Sequence, residues 1–246
     1  MYILAIETTG PNGSAALINE YGTVVSRRVS HHAMSHLKDL IPMIQDMTAE
    51  LGIGGEDISS VSASIGPGSF TGIRIGVSTA RALAQAWNKP CIAVSSLGSF
   101  AYRREREDGA PGAGDVICGI LNARRHQVYG FVEGLLKEGP YMIEDVLGVI
   151  LDKVKDGRKV IFFGDGIDAY EGIIRDTLGD RVNYEFAPVE IRYQDAEDIA
   201  RAGLEKFRAG DILKYPELLP DYMREAEAEQ KLKAGELPIS KLPKQE

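Results

Sequence analysis

The residues best suited to chemistry lie in two turns, one in each half of the chain. The first reads Glu7-Thr8-Thr9-Gly10 and the second Asn122-Ala123-Arg124-Arg125, and each follows an apolar run. A carboxylate and a close glycine at both turns would suit Mg²⁺ and a phosphate group. The second turn has neither, since the neutral Asn122 is a weaker Mg²⁺ ligand than a carboxylate. A competent phosphate-transferring site is therefore not expected.

A glycine-rich loop is the next candidate for phosphate. Residues Gly66-Pro67-Gly68-Ser69-Phe70-Thr71-Gly72 follow the apolar strand Val61–Ile65 and precede a predicted helix. Backbone N–H groups in such loops often hold phosphate. However, no Lys-Ser or Lys-Thr follows Gly72, as in a Walker A loop, and the glycines miss the dinucleotide spacing by one residue. The sequence predicts a strand-to-helix turn, with Ser69 or Thr71 as the helix cap.

Histidines and serines offer little further chemistry. His32 and His36 are four residues apart and could share a helical face, with His31 beside them. A metal site needs a third close ligand, and Asp39 is only a loose candidate. Ser69 has no G-x-S-x-G elbow around it, and the four histidines leave no evident base. We therefore predict no catalytic residue, no metal and no cofactor.

Composition is that of an ordinary globular protein. The 246 residues are 44% hydrophobic, with a mean hydropathy of −0.13. The net charge of −8 argues against a broad basic surface that grips RNA or DNA unaided. The two cysteines, Cys91 and Cys118, are too few for a disulfide framework and favour a reducing compartment. No apolar run is long enough to cross a membrane and no basic leader begins the chain, so we predict a cytoplasmic protein.

Predicted elements follow the same order in both halves, and each half reads β-β-β-α-β-α-β-α. We predict an α/β fold of two similar lobes across a cleft, in which Gly164-Asp165-Gly166 is equivalent to Gly66-Pro67-Gly68. In the second half, Tyr141-Met142-Ile143 reads as a weak third strand, Tyr170–Leu178 as a helix and Ala196–Phe207 as the final helix. The expected boundaries are 1–108 for the first lobe, 109–114 for a linker, 115–213 for the second lobe and 214–246 for a partly disordered C-terminal segment.

Two such lobes resemble the actin-like (ASKHA) class, which repeats a ribonuclease H-like unit and includes actin, sugar kinases and Hsp70 chaperones. In the ATPases of that class, each lobe offers its first hairpin to the phosphates. The resemblance makes the turns and the second glycine pair a weak candidate nucleotide site. Its residues are Glu7, Thr8, Thr9, Asn122, Arg124, Gly164 and Gly166.

Two helices of the first half are more apolar than one contact with a sheet requires. They are predicted from about Ser35 to Leu51 and from about Thr71 to Trp87. Gly72, Gly76 and Ala80 would form a smooth ridge that lets another helix approach closely. We expect both helices to lie side by side on the outer face of the first lobe. The residues alone leave two interpretations of the second helix open: it is enclosed within its own domain, or it packs on its own sheet with one side and on a partner protein with the other. The candidate partner-binding residues are Leu37, Leu40, Ile41, Ile44, Met47, Phe70, Gly72, Ile73, Arg74, Gly76, Val77, Ala80 and Leu83.

Short motifs along the chain resemble the bacterial TsaB (YeaZ) family, from about residue 1 to 224. They are ILAIETT at 3–9, HLKDLIPMI at 36–44, GPGSFTGIRIG at 66–76, ALAQAWNKP at 82–90, NARRHQVY at 122–129 and LPDYMR at 219–224. The resemblance implies an actin-like fold and a role in making threonylcarbamoyladenosine in tRNA, as a non-catalytic paralogue of the TsaD enzyme.

The resemblance also implies partners. Members of the family pair with TsaD through two helices from each protein, and TsaE joins the complex with its ATPase activity. On this basis the chain would form a homodimer when alone and would meet tRNA only indirectly, through the complex.

Four positions bear on catalysis within this resemblance. Asn122 stands where the family usually has the Asp of a D-A-R-R motif, and Glu7 where Asp is commoner, which weakens a nucleotide role. Ser96 and Phe100 stand where TsaD enzymes carry two metal-binding histidines, which implies a scaffold. An independent ATP-dependent phosphotransferase of the actin-like class is kept as the alternative. A metallopeptidase is a weaker one, which stoichiometric zinc would support.

Overall fold

The computed structural model describes residues 1–30, 36–106, 110–155 and 157–223, apart from the side chains of residues 36 and 37. The expectations for His31, His32, the side chain of Leu37 and the C-terminal residues 224–246 lie outside that description. None of the helices within these ranges is both long and apolar enough to span a membrane.

The first lobe is built on a five-stranded mixed sheet. Its elements are β1 (Tyr2–Glu7), β2 (Ser14–Asn19), β3 (Val24–Val29), α1 (His36–Leu51), β4 (Ile58–Gly66), α2 (Phe70–Trp87), β5 (Cys91–Ser95) and a 3₁₀ helix (Gly98–Glu105). The strand order is β3-β2-β1-β4-β5, with β1 antiparallel to β2 and parallel to β4. The parallel neighbours need crossover connections, and α1 and α2 supply them.

The second lobe repeats this design. Its elements are β6 (Val116–Asn122), β7 (Gln127–Val132), β8 (Leu136–Met142), α3 (Ile143–Lys153), β9 (Val160–Phe163), α4 (Gly166–Leu178), β10 (Tyr184–Phe186), α5 (Val189–Arg192) and α6 (Ala196–Arg208). The strand order β8-β7-β6-β9-β10 is that of the first sheet when strands are counted within each lobe. The repeat confirms the predicted α/β fold of two actin-like lobes.

Different helices cover the two faces of the first sheet. Because side chains alternate along a strand, Leu4 and Ile6 of β1 pack in the core with α1 and α2, while Ile3 and Ala5 pack with α6. All four side chains are fully buried. The sheet therefore holds α1 and α2 together as one layer on one side of the lobe.

The packing of α6 differs from the expectation. The sequence places this helix in the second lobe, but its Ile199 packs on the first sheet. In return, Phe100 of the 3₁₀ helix in the first half packs with Phe163 of the second sheet, with ring centroids 5.7 Å apart. Each sheet has a second apolar face, and a helix that covers this face removes it from water, which stabilises the fold. Packing thus does not follow the predicted boundary between the lobes.

Buried charges join the two halves where these helices meet. Arg103 Nε and Asp198 Oδ2 are 2.8 Å apart, with side chains 2% and 0% exposed. Asp195 accepts a hydrogen bond from the Glu197 N–H (2.9 Å) as the cap of α6, and another from Arg27 of β3 (2.8 Å). Burial raises the pKa of Asp198 to about 7, although Arg103 acts in the opposite direction. Because a buried charge without its partner is strongly destabilising, the pair ties α6 in place.

Two elements of the second lobe begin earlier than expected. β8 begins at Leu136 rather than Tyr141 and contains a Gly-Pro pair, which disfavours strands. It is an edge strand, where the missing N–H of a proline needs no partner. α4 begins at Gly166 rather than Tyr170, and Tyr170 has non-helical angles (φ −130°, ψ 16°) inside the helix. Both elements were predicted too short because turn-forming residues lie in the parts that were missed.

Candidate functional site

A cavity of about 570 Å³ lies between the two lobes. Its walls come from the loops that follow β1 and β4 in the first lobe and β6 and β9 in the second. Thr9, Asn122 and Arg124 line it, together with Gly68 and Asp165 from the two equivalent turns. The loops of both lobes therefore face one cleft, in agreement with the sequence interpretation of these turns.

Glu7 and Thr8 are not among the residues that line this cavity. The Glu7 carboxylate is fully buried and accepts hydrogen bonds from the Thr9 hydroxyl (2.6 Å) and backbone N–H. Burial raises the pKa of Glu7, despite these hydrogen bonds. The Thr8 hydroxyl donates to the Gly72 carbonyl (2.7 Å). Both side chains are thus engaged inside the first lobe, away from the position that nucleotide binding would need.

Gly164 and Gly166 allow the start of α4 to lie close to the backbone of β6. A Cβ at Gly166 would lie 2.8 Å from the Ile120 carbonyl oxygen of β6, and one at Gly164 would overlap the same atom. Gly164 also has a φ of 99°, which side chains disfavour. These glycines let α4 start directly against β6. The candidate nucleotide-binding residues that do line the cavity are Thr9, Asn122 and Arg124.

The second turn holds its basic residues in a left-handed conformation. Arg124, Arg125 and His126 have φ values of 65°, 54° and 63°. This region costs a residue other than glycine on the order of 1–2 kcal/mol, so the surroundings must impose it. The Asn122 side-chain oxygen accepts hydrogen bonds from the Arg124 N–H (2.8 Å) and the Tyr170 hydroxyl (3.2 Å). No glycine marks this conformation in the sequence, and pattern analysis missed it.

Ser96 and Phe100, the positions compared with metal-binding histidines, are built into the core. Ser96 is fully buried, and its hydroxyl donates to the Pro67 carbonyl. Phe100 is fully buried and packs against Phe163. In the part of the chain that the structure describes, no group of three or more His, Cys, Asp or Glu side chains could hold a metal ion.

Most partner-binding candidates on α1 and α2 are buried in their own lobe. The buried side chains are Leu40, Ile44, Met47, Ile73, Val77 and Ala80. Gly72 and Gly76 are also buried, and a Cβ at either would overlap Thr8. The small-residue ridge therefore faces the end of β1, which corrects the expectation that it receives a partner helix. Its physical role is to let α2 lie close to the first strand.

The remaining candidates lie on the outside. Ile41 of α1 is 39% exposed and Phe70 of α2 is 40% exposed. Arg74 is exposed as well, with exposed Ala82 two turns further along α2, and Leu83 is half-buried. We call the exposed face of α1 and α2 the outer helix surface. Because both helices pack on one face of the same sheet, these side chains share one side of the molecule.

The end of the described chain completes this surface. Tyr222 stacks on Phe70 with ring centroids 4.5 Å apart, and its hydroxyl accepts a hydrogen bond from Arg74 Nε (3.0 Å). The Arg74 guanidinium lies 4.1 Å from the Phe70 ring centroid. Leu218 is buried in the first-lobe core, and the Asp221 N–H donates to a β4 carbonyl (2.8 Å). This segment packs as part of the first lobe, and the sequence analysis did not propose Tyr222 as a site residue.

Comparison with known proteins points to one family. The model of the family described as "TsaD: tRNA N6-adenosine threonylcarbamoyltransferase" matches residues 12–231. The chain is 32% identical to the "tRNA threonylcarbamoyladenosine biosynthesis protein TsaB" of Bacillus subtilis, over 94% of this chain and 97% of that protein. It is 29% identical to the Escherichia coli protein of the same name, over 96% of this chain and 100% of that protein.

Solved structures have the same fold. "YeaZ from Pseudomonas aeruginosa" gives a TM-score of 0.68 at 24% identity, over 90% of this chain and 99% of that one. A second structure, described as similar to peptidase YEAZ from the same organism, gives 0.70 at 23% identity, over 91% and 99%. At these identities the structures show the fold alone. Since a relative named TsaB is 32% identical along nearly its whole length, the chain belongs to the TsaB family.

Proposed function

We propose that this chain is a non-catalytic subunit in the biosynthesis of threonylcarbamoyladenosine in tRNA, where it supports a TsaD catalytic subunit. The relatives from B. subtilis and E. coli are named as proteins of that biosynthesis. The main support for a non-catalytic role is the core position of Ser96 and Phe100, because side chains packed in a core are not available to ligate a metal. The buried Glu7 points in the same direction.

The outer helix surface is the proposed contact with TsaD. It presents the apolar Ile41 and Phe70 to solvent, with Arg74 beside them. Two partner helices placed on α1 and α2 would form a four-helix interface. Stable interfaces bury on the order of 1,600 Å² in total, and aromatic and arginine side chains tend to dominate their energy. The Phe70–Arg74–Tyr222 stack is therefore the proposed centre of the contact.

The outer helix surface also accounts for the proposed homodimer. An exposed apolar patch is unfavourable in water, so a second copy of this chain would cover it when TsaD is absent. In the complex, TsaE would join the pair and tRNA would be met indirectly, in the cytoplasm. Size-exclusion chromatography with light scattering of the isolated chain tests the homodimer, and a monomer at all concentrations would contradict it.

Charged substitutions on the outer helix surface test the contact with TsaD. We expect Ile41→Glu and Ala82→Glu each to weaken association with TsaD at least tenfold, because an unpaired charge buried in an interface is costly. Val189→Glu is the matched control, since Val189 lies on α5 of the second lobe and is 57% exposed. Light scattering of the mixtures measures association. If all three variants bind TsaD like the native chain, the interface lies elsewhere.

Catalysis is tested separately from association. We expect the purified chain to transfer no threonylcarbamoyl group to tRNA when supplied with the activated donor, and to do so only through TsaD. Transfer by the chain alone would overturn the non-catalytic assignment. The alternative, an independent ATP-dependent phosphotransferase, is disfavoured because Glu7 is buried and the Asn122 side chain holds the second turn. Calorimetric binding of Mg-ATP followed by turnover would restore it.

A further inference from the structure

The first-lobe wall of the interlobe cavity is the N-terminus of a long helix. α2 has 18 residues and carries no acidic residue in its first turn. The Ser69 hydroxyl accepts a hydrogen bond from the Gly72 N–H (3.2 Å), while the N–H groups of Phe70 and Thr71 have no partner within the helix. All of Ser69, Phe70 and Thr71 line the cavity. The partial positive charge of the helix N-terminus is therefore presented to it.

Arg124 brings a full positive charge to the cavity from the second lobe. The side chain is exposed, and no carboxylate among the described residues pairs with it. Its backbone is held by Asn122, whose side-chain oxygen accepts from the Arg124 N–H (2.8 Å). Asn122 is held in turn by Asp165, which accepts from the Asn122 N–H (3.0 Å). These contacts fix the backbone of Arg124 at the cavity wall, and they use none of the donors of its guanidinium.

Gln194 supplies a buried polar group to the cavity. It lines the cavity and is only 4% exposed, and its Oε1 has no hydrogen-bond partner within the described ranges. The side chain lies against Gly10, where a Cβ would come within 2.9 Å of that oxygen. A buried polar atom left unpaired costs about 1–3 kcal/mol. This cost points to a ligand group that would complete the hydrogen bonding of Gln194.

Asp165 limits the charge of any ligand. One of its oxygens is already engaged by the Asn122 N–H (3.0 Å). Burial raises the pKa of Asp165, and nearby Asp168 acts in the same direction, so its repulsion of an anion is weaker than that of a free carboxylate. A single anionic group near Arg124, with an uncharged donor elsewhere on the ligand, suits this cavity better than a polyphosphate.

We propose that the cavity binds a small phosphate monoester that also carries a hydroxyl group. The phosphate oxygens accept hydrogen bonds from the N–H groups of Phe70 and Thr71 and from the Arg124 guanidinium. The ligand hydroxyl donates to Gln194 Oε1. The positive charge comes from both lobes, so the ligand bridges the lobes. This site adjoins the outer helix surface at Phe70, whose backbone N–H faces the cavity while its ring stacks on Tyr222, and its test uses the chain without TsaD.

Titration calorimetry of the full chain with glycerol 3-phosphate and with inorganic phosphate tests the proposal. We expect both to bind, and glycerol 3-phosphate to bind several-fold more tightly. Arg124→Asn removes the charge with a residue that tolerates the left-handed conformation, and it should weaken both ligands about tenfold. Arg181→Asn, at an exposed arginine outside the cavity, is the matched control and should bind normally. Gln194→Leu should remove the preference for glycerol 3-phosphate and leave phosphate binding unchanged.

Amide chemical shifts locate the site, and those of Phe70, Thr71 and Arg124 should move during the titration. Thermal unfolding of each variant checks that its fold is intact. No binding at about 10 mM ligand would overturn the proposal, because that limit corresponds to an affinity too weak for a built site. Equal binding by the native and Arg124→Asn chains would also overturn it. Equal affinity of the native chain for the two ligands would overturn the role of Gln194.

Discussion

The substitution Gly76→Ala tests whether the small-residue ridge of α2 faces its own sheet or a partner protein. A Cβ at this buried position would overlap the Thr8 hydroxyl oxygen and lie 3.7 Å from the Ile6 side chain. That hydroxyl donates to the Gly72 carbonyl (2.7 Å), so the new methyl group must displace it and break the hydrogen bond. Gly148 in α3 is the matched control, because nothing lies within 4 Å of a Cβ there.

Opposing effects set the expected magnitude. Alanine in place of glycine inside a helix gains about 0.5–1 kcal/mol. Loss of a buried hydrogen bond costs about 1–3 kcal/mol, and an extra carbon in a packed core adds strain. We therefore expect Gly76→Ala to lower the free energy of unfolding by about 1–3 kcal/mol. Gly148→Ala, with the gain alone, should raise it by about 0.5–1 kcal/mol.

Thermal unfolding followed by circular dichroism measures both changes. In a protein of this size, 1 kcal/mol shifts the midpoint by about 2–4 °C, so the two variants should move it in opposite directions. Association of Gly76→Ala with TsaD, measured well below its midpoint, should stay native because the new methyl group does not reach the outer helix surface. The reasoning is refuted if Gly76→Ala is as stable as Gly148→Ala yet fails to bind TsaD, since the ridge would then face the partner.

Three further expectations concern the core. Arg103→Met removes the nearer cation from the buried Asp198 and leaves it the 3.7 Å contact with Arg106, so the free energy of unfolding, measured in urea, should fall by about 3 kcal/mol, the low end for a broken buried pair; a loss below about 1 kcal/mol would show that Arg103 does not hold α6 in place. Burial raises the pKa of Glu7 above its ordinary 4.5, so native stability should fall as the pH rises above that value. Glu7→Gln should reduce this dependence of the unfolding free energy on pH, and an unchanged pH dependence would contradict the role of Glu7. Burial also raises the pKa of the Cys91 and Cys118 thiols, so neither should react with a thiol reagent before unfolding, and rapid labelling of the native chain would disprove this.

Local sequence patterns were sufficient for the fold because its elements repeat. Apolar strands and periodic helices recur in the same order, and the two sheets have the same topology. Patterns of this kind identify the buried face of an element but not what covers it. For that reason the Gly72–Ala80 ridge of α2 was assigned to a partner although it faces its own sheet. The crossing of α6 to the first lobe depends on contacts between distant residues, which local periodicity does not encode.

The cavity was only partly predictable for similar reasons. Thr9, Asn122 and Arg124 were named as candidates through the resemblance to actin-like ATPases, and all three line the cavity. Gln194 carries no sequence signal, because its importance comes from burial and from a side-chain oxygen that no described residue pairs with. The left-handed turn at Arg124 was missed since tertiary contacts impose a conformation that its residue types disfavour.

Each half of the chain supplies a helix that covers the sheet of the other half. This arrangement limits where the chain can be cut and when it can fold during synthesis. A fragment that ends at the linker would expose the face of the first sheet that carries Ile3 and Ala5, because its cover comes from α6. The complementary fragment would lack Phe100 over its own sheet. Neither half is a complete folding unit, so separately expressed lobes would have to find each other before either became stable. On the ribosome, the first lobe cannot complete its core until α6 has emerged.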